Sequence, residues 1–302
     1  MKIAIFGSGG VGGYFGARLA AAGNEVQFIA RGAHLAAMRS HGLRVESARG
    51  NLQINARAHE QPDDIGPVDY VLFAVKLADV ESAAQRLRPL LAERTQVLCF
   101  QNGVEAAELV ARAIGAQHAR PGVAYIATAI SAPGVVRHTG TMERLQVGPG
   151  AERFVAACKE AGINIEEVQD IERARWEKFV FLAALSGVTS VARAPVGVCR
   201  ADAELRATFE AAMSEAWRLG RKRGVQLADN FVADRMKFVE GLPAEMRTSM
   251  QHDLEAGKPL EAPWLCGAVA RMSAQSGLEA PVNRTLYAAL KPFLHGPAGA
   301  AR

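Results

Sequence analysis

The segment Gly7-Ser8-Gly9-Gly10-Val11-Gly12 constrains this chain more than any other part of it. It follows an apolar run, Lys2–Phe6, of the kind that forms a strand buried on both faces, and it opens a helical pattern over Val11–Ala22. Gly7 permits a tight turn, Gly9 lets the backbone come close to a pyrophosphate, and Gly12 lets helix and strand pack closely. The helix N-terminus offers free N–H groups to the phosphates. A lone G-x-G-x-x-G is a weak signal. A strand before it and a helix after it make dinucleotide binding the favoured reading, with Gly7, Ser8, Gly9, Gly10, Val11 and Gly12 as the cradle.

The rest of the first half repeats this alternation. Glu25–Ile29, Tyr70–Val75, Gln96–Phe100 and Val123–Ile126 read as strands, with helices over Ala33–His41, Val80–Ala92 and Glu105–Ile114 between them. Two stretches, Leu43–Ile54 and Gly134–Val147, carry Arg49-Gly50-Asn51 and Thr139-Gly140-Thr141 at their centres and read as hairpins at the sheet edges. After residue 168 the strand signal stops. Helical patterns cover Asp170–Ala184, Ala203–Arg223, Ala228–Glu240, Pro263–Ser276 and Val282–Phe293, with breaks at Gly187, Pro195-Val196-Gly197, Gly224, Gly241-Leu242-Pro243 and Gly277. The fold expectation is α/β: a Rossmann-type N-terminal domain over 1–168, followed by an all-α C-terminal domain over 169–302 that serves substrate binding and dimerisation. The final residues, Gly296–Arg302, read as a loose tail.

Composition narrows the function classes. The net charge of +4 is spread without a block of one sign, which disfavours nucleic acid as a partner. No apolar window is long enough for a membrane span or a signal peptide, so the expected location is cytoplasmic. The four cysteines, Cys99, Cys158, Cys199 and Cys266, lie far apart without a C-x-x-C pair, and the seven histidines form no H-x-x-x-H pair. Core packing is the expected fate of the cysteines, and no metal site is expected. A homodimer stays open, because the apolar run Phe179–Leu185 could serve the core or an interface equally.

Three places look able to carry chemistry. The second strand ends in Phe28-Ile29-Ala30-Arg31, where an NAD-selective protein usually has an acid. An arginine with no acid nearby suits an adenosine 2′-phosphate, which favours NADP(H) as cofactor, the alternative being a solvated strand end. Lys76 and Gln101-Asn102-Gly103 end two strands at the carboxyl edge of the sheet, where ligands bind in such folds, although Asn102 could simply cap the next helix and Lys76 could be solvated. Lys178, in Trp176-Glu177-Lys178, leads into the apolar stretch Phe179–Leu185. Burial there would lower its pKa toward the range useful for proton transfer, unless the side chain reaches the surface.

Taken in order, the glycine segment within residues 2–13, Val75-Lys76, Gln101-Asn102-Gly103, Trp176-Glu177-Lys178, and Ser249-Met250-Gln251-His252-Asp253 followed by Glu261 resemble the 2-dehydropantoate 2-reductase, or ketopantoate reductase, family over both halves of the chain. The resemblance implies NADPH-dependent reduction of ketopantoate to pantoate, on the route to pantothenate and coenzyme A. It implies Lys178 as general acid, Glu261 binding the substrate hydroxyl and holding the lysine, and Asn102 between nicotinamide and substrate. Lys76 would lie near the nicotinamide, and Ser249 would contact the substrate carboxylate. The family commonly presents asparagines four and eight residues after the lysine; this chain has Leu182 and Ser186 there. Ser186 still offers a hydroxyl to substrate, whereas Leu182 cannot hydrogen-bond. Two alternatives follow: a relative reducing another 2-oxo acid, or a non-catalytic NADP(H) sensor.

Overall fold

The computed structural model describes residues 1–298, and the chain divides into two compact units. The first comprises Met1–Gln101 and Glu105–Ile171; the second comprises Asn102–Val104 and the chain from Glu172 onward.

In the first unit, strands β1 (Lys2–Phe6), β2 (Glu25–Ile29), β3 (Leu43–Glu46), β4 (Leu52–Ile54), β5 (Arg57–His59), β6 (Tyr70–Phe73), β7 (Gln96–Cys99), β8 (Ala119–Ala132), β9 (Val135–Val147) and β10 (Ile165–Glu167) form one mixed sheet. Its helices are α1 (Gly10–Ala21), α2 (Gly32–His41), α3 (Val80–Gln85), α4 (Ala106–Ile114) and α5 (Glu152–Glu160). The order β5-β2-β1-β6-β7-β8 is parallel throughout, which is the doubly wound order of dinucleotide-binding folds. All four residues of β6 are buried, as expected for a strand covered on both faces.

The sheet departs from the sequence reading in two short added strands, β5 and β10, and at one hairpin. Its turn is Pro133-Gly134, with Gly134 at φ 77°, so β9 is an interior strand between β8 and β3. Thr139, Gly140, Thr141 and Met142 are instead a bulge facing Ala127 alone. The Leu43–Ile54 hairpin does form, and β4 is a sheet edge. The helix expected over Val80–Ala92 ends at Gln85, and a separate 3₁₀ turn, Arg88–Leu90, contains Pro89, which has no N–H to continue an α-helix.

The second unit is helical: α6 (Ile171–Ala192, from its second residue), α7 (Val196–Ala201), α8 (Ala203–Lys222), α9 (Phe231–Glu240), α10 (Ser249–Glu255), α11 (Cys266–Gln275) and α12 (Pro281–Leu290). Helix α6 is its central element, with Trp176, Phe179, Val180, Ala183, Ala184 and Val188 all in the core. Gly187 does not break it. A Cβ there would lie 3.1 Å from Leu286, so this glycine marks a close approach of α12 to α6. The Pro195-Val196-Gly197 segment, expected as a break, begins α7, with Pro195 at its N-cap. All four cysteines are buried, as expected for core residues. Of the expected tail, Pro297 packs against Gly257, and residues 299–302 lie outside the described ones.

A buried carboxylate locks two of these helices together. Glu215 of α8 accepts the backbone N–H groups of Val282 (2.8 Å) and Asn283 (2.9 Å) at the start of α12, and also the Asn283 side-chain amide at 2.7 Å. Helix N-termini carry uncompensated donors and partial positive charge, so an anion is well placed there. We predict that Glu215→Ala destabilises the fold by about 3 kcal/mol, seen as a lower urea midpoint. A midpoint shift near zero would mean that the cap contributes nothing.

Candidate active site

Two constellations emerge, one in each unit. In the first, the turn between β1 and α1 has the shape that the glycine pattern demands. Gly7 sits at φ 98°, a region closed to most side chains, and a Cβ on Gly12 would lie 2.2 Å from the Gly7 carbonyl oxygen. A Cβ on Gly9, by contrast, would meet nothing within 4 Å, and Gly9 caps α1 without any side-chain hydrogen bond to the first-turn amides. This leaves an open backbone surface and uncommitted donors, a cradle that suits a pyrophosphate. Val11 is half-buried against the core, and Gly10 lies close under Thr128.

Ser8 is held differently. Its hydroxyl and its N–H both donate to the Ile29 carbonyl at the end of β2 (2.9 and 3.1 Å), which ties the turn to the neighbouring strand. Its own carbonyl faces His34 Nε2 at 2.9 Å, while His34 Nδ1 accepts from the Gly134 N–H at 3.0 Å. With Nδ1 accepting, the proton of the neutral ring sits on Nε2 and donates to Ser8. Burial holds the His34 pKa below its ordinary value, in keeping with that neutral form. His34 thus links the glycine turn to the β8–β9 turn, a role invisible in a sequence where its partner is 100 residues away.

Arg31 and Lys76 lie in the same unit. Lys76 is exposed and precedes a 3₁₀ turn, Leu77–Asp79. Arg31 pairs with Asp79, Nη2 to Oδ2, at 2.9 Å. The expectation that no acid lies near Arg31 is therefore corrected: none adjoins it along β2, but the turn after β6 supplies one.

The second constellation is built on α6. Lys178 Nζ donates to Asn102 Oδ1 at 2.9 Å, and Asn102 Nδ2 donates to Glu261 Oε2 at 3.4 Å. One amide thus faces a cation with its oxygen and an anion with its nitrogen. Asn102 does not cap α4, whose N-cap is Glu105. Its segment is fixed from α6: Arg175 Nη2 donates to the Val104 carbonyl at 2.6 Å and Nη1 to Glu172 at 2.5 Å, while Glu172 also accepts from Trp176 Nε1 at 2.8 Å. Sequence reasoning missed Glu172 and Arg175, although their i, i+3 spacing just ahead of Trp176 was a usable sign. Glu261 lies in the irregular segment after α10 and is the N-cap of the 3₁₀ turn Ala262–Trp264.

Burial lowers the Lys178 pKa to about 8, and the Glu261 carboxylate opposes that shift. An ammonium poised there can donate a proton near neutral pH. Leu182 and Ser186 follow Lys178 at i+4 and i+8 on α6. Leu182 is half-buried against the helical core; Ser186 is buried, and its hydroxyl has no hydrogen-bond partner among the described residues. Ser249 is exposed in the first turn of α10, where Thr248 is the cap, accepting from the Gln251 N–H. The structure therefore joins Asn102, Lys178 and Glu261 by hydrogen bonds, and Ser186 and Ser249 stand outside that chain. Among the described residues no cluster of His, Cys, Asp or Glu could hold a metal ion, and no helix is long and apolar enough to cross a membrane.

Residues 3–152 match the family described as ketopantoate reductase PanE/ApbA, and residues 170–293 match its C-terminal counterpart. The chain belongs to the ketopantoate reductase family. Ketopantoate reductases are pyridine-nucleotide oxidoreductases acting on a small keto acid. Similar relatives include a 2-dehydropantoate 2-reductase of Mesorhizobium japonicum, 32% identical over 89% of this chain and 90% of that protein. An uncharacterised oxidoreductase of Bacillus subtilis, YkpB, is 28% identical over 97% and 99%. Among solved structures, a PanE/ApbA family ketopantoate reductase from Ralstonia eutropha superposes with a TM-score of 0.91 at 33% identity, covering 97% of this chain and 98% of the other.

The electrostatics of this ketopantoate reductase family member yield a direct test. Lysine-selective NMR titration should place Lys178 near 8, well below the ordinary lysine value. In Glu261→Gln the raising influence is gone, so the value should fall further. An ordinary value, or an upward move in the variant, contradicts the arrangement.

Proposed function

We propose that the protein catalyses NADPH-dependent reduction of the 2-oxo group of ketopantoate to pantoate, in the cytoplasmic synthesis of pantothenate. The observation that supports this reading most is the hydrogen-bonded chain from Lys178 through Asn102 to Glu261, with a lysine pKa of about 8. In this reading Gly7, Ser8, Gly9, Gly10, Val11 and Gly12 hold the pyrophosphate, Arg31 the 2′-phosphate, and Lys76 and Asn102 the nicotinamide end. The open backbone at Gly9 and the uncapped start of α1 fit such a group.

Bound there, the reduced nicotinamide supplies the hydride that makes a ketone carbon into an alcohol carbon. The protein's part is the proton. Lys178 Nζ donates one to the ketone oxygen as negative charge develops on it, leaving a neutral amine that solvent reprotonates. Before that, the ammonium polarises the carbonyl and offsets the substrate carboxylate. Asn102 Oδ1 fixes the direction of one Nζ–H, which orients the other two. Glu261 binds the substrate hydroxyl and keeps the lysine charged. Ser249 meets the carboxylate, and the unpartnered Ser186 hydroxyl offers a further contact.

One observation favours a second substrate within the same chemistry. Leu182, half-buried against the helical core one turn beyond Lys178, offers no hydrogen bond, and a more apolar 2-oxo acid needs none there. Loss of reduced-nicotinamide absorbance over a panel of 2-oxo acids separates the two. Turnover fastest on ketopantoate supports the first reading, and turnover fastest on another acid replaces it. Tight nucleotide binding with no turnover would point to a sensor. On the best substrate we predict that Lys178→Ala lowers kcat about a thousandfold with nucleotide affinity retained. An unchanged kcat would remove Lys178 from the mechanism.

A further inference from the structure

The ion pair between Arg31 and Asp79 occupies a telling position in the topology. Arg31 follows β2 and caps the N-terminus of α2, and Asp79 closes the turn that follows β6. Strands β2 and β6 are the two that pair with β1, one on each side. The pair therefore joins the carboxyl ends of the strands that flank the glycine-turn strand. In doubly wound sheets the adenosine ribose is read beside the end of the second strand. An acid there takes the ribose hydroxyls, and an arginine takes a 2′-phosphate. This chain places one of each at the same spot, 2.9 Å apart.

We propose that Asp79 is a specificity-determining residue of the nucleotide site, one that tempers the preference for a 2′-phosphate and lets NADH serve beside NADPH. The proposal rests on the reading of the glycine turn as a dinucleotide site. Asp79 engages the guanidinium that would otherwise meet the phosphate, and its charge repels a phosphate that arrives. Its carboxylate is also the acceptor that an unphosphorylated ribose hydroxyl requires. The side chains are 70% and 43% exposed, so the pair is weak by itself and can be exchanged for a ligand. A phosphate competes for the guanidinium with two parallel hydrogen bonds, where this carboxylate contributes one short contact. Replacing Asp79 with a neutral residue removes the competitor and the repulsion together.

The experiment is calorimetric titration of the full chain with 2′,5′-ADP and with ADP, at low salt, in the wild type, Asp79→Asn and Arg31→Ala. The readout is the ratio of the two affinities, so nucleotide binding is measured apart from turnover. Asp79→Asn should raise the preference for 2′,5′-ADP about fivefold, the size expected for removing one unit charge near a phosphate in a solvated setting. Arg31→Ala should lower it. Both residues are exposed enough that the variants should melt with the wild type. A ratio unmoved in Asp79→Asn overturns the proposal and leaves the pair as a tie between α2 and the turn. Failure of the wild type to bind either nucleotide overturns the dinucleotide reading itself, and this inference falls with it.

Discussion

A lysine ammonium taken largely out of water loses the hydration that keeps it charged, and its neighbours must make good that loss. Around Lys178 the compensation is incomplete. An amide oxygen at 2.9 Å and the field of Glu261 support the charge, but desolvation is the larger influence, and the pKa settles at about 8. Complete compensation would leave a lysine too weak an acid to give up its proton; none would leave an amine with no proton to give. The helical unit that carries Lys178 is itself held by several contacts. Trp176 and Phe179 anchor α6 in the core, Arg175 pins the Asn102 segment through Val104, and the Glu215 cap sets α12 against the same core.

The glycine turn rests on a different constraint, that of steric room. Gly12 is set by the Gly7 carbonyl 2.2 Å from where its Cβ would be, and Gly7 by its positive φ. Such requirements are local, so they are legible: a turn between an apolar strand and a helix needs these residues whatever the rest of the chain does. The same holds for the parallel strands, whose apolar runs announce burial on both faces, and for Lys178, a charge leading into an apolar helix. The doubly wound first unit and the helical second unit follow from these patterns.

What the pattern concealed was set by partners distant in sequence. The acid facing Arg31 comes from the turn after β6, not from β2. The imidazole that holds Ser8 is fixed by the backbone amide of Gly134, in a turn 100 residues further along the chain. Thr139-Gly140-Thr141 has turn chemistry, yet the register of β8 against β9 makes it a bulge. Gly187 looks like a helix breaker, but it lies inside a continuous helix where α12 approaches closely. Strands β5 and β10 are three residues each and gain their identity from pairing alone. At Thr139-Gly140-Thr141 and in the two short strands, tertiary pairing decided the local structure.

The account turns on Lys178 acting as an acid whose proton is available near neutral pH, and the dependence of kcat/KM on pH for 2-oxo acid reduction tests that most directly. Since the protonated amine is the active form, the rate should hold steady below pH 8 and fall about tenfold per pH unit above it. A profile that stays flat through pH 10 would show that no lysine proton with a lowered pKa takes part, and would contradict the central claim.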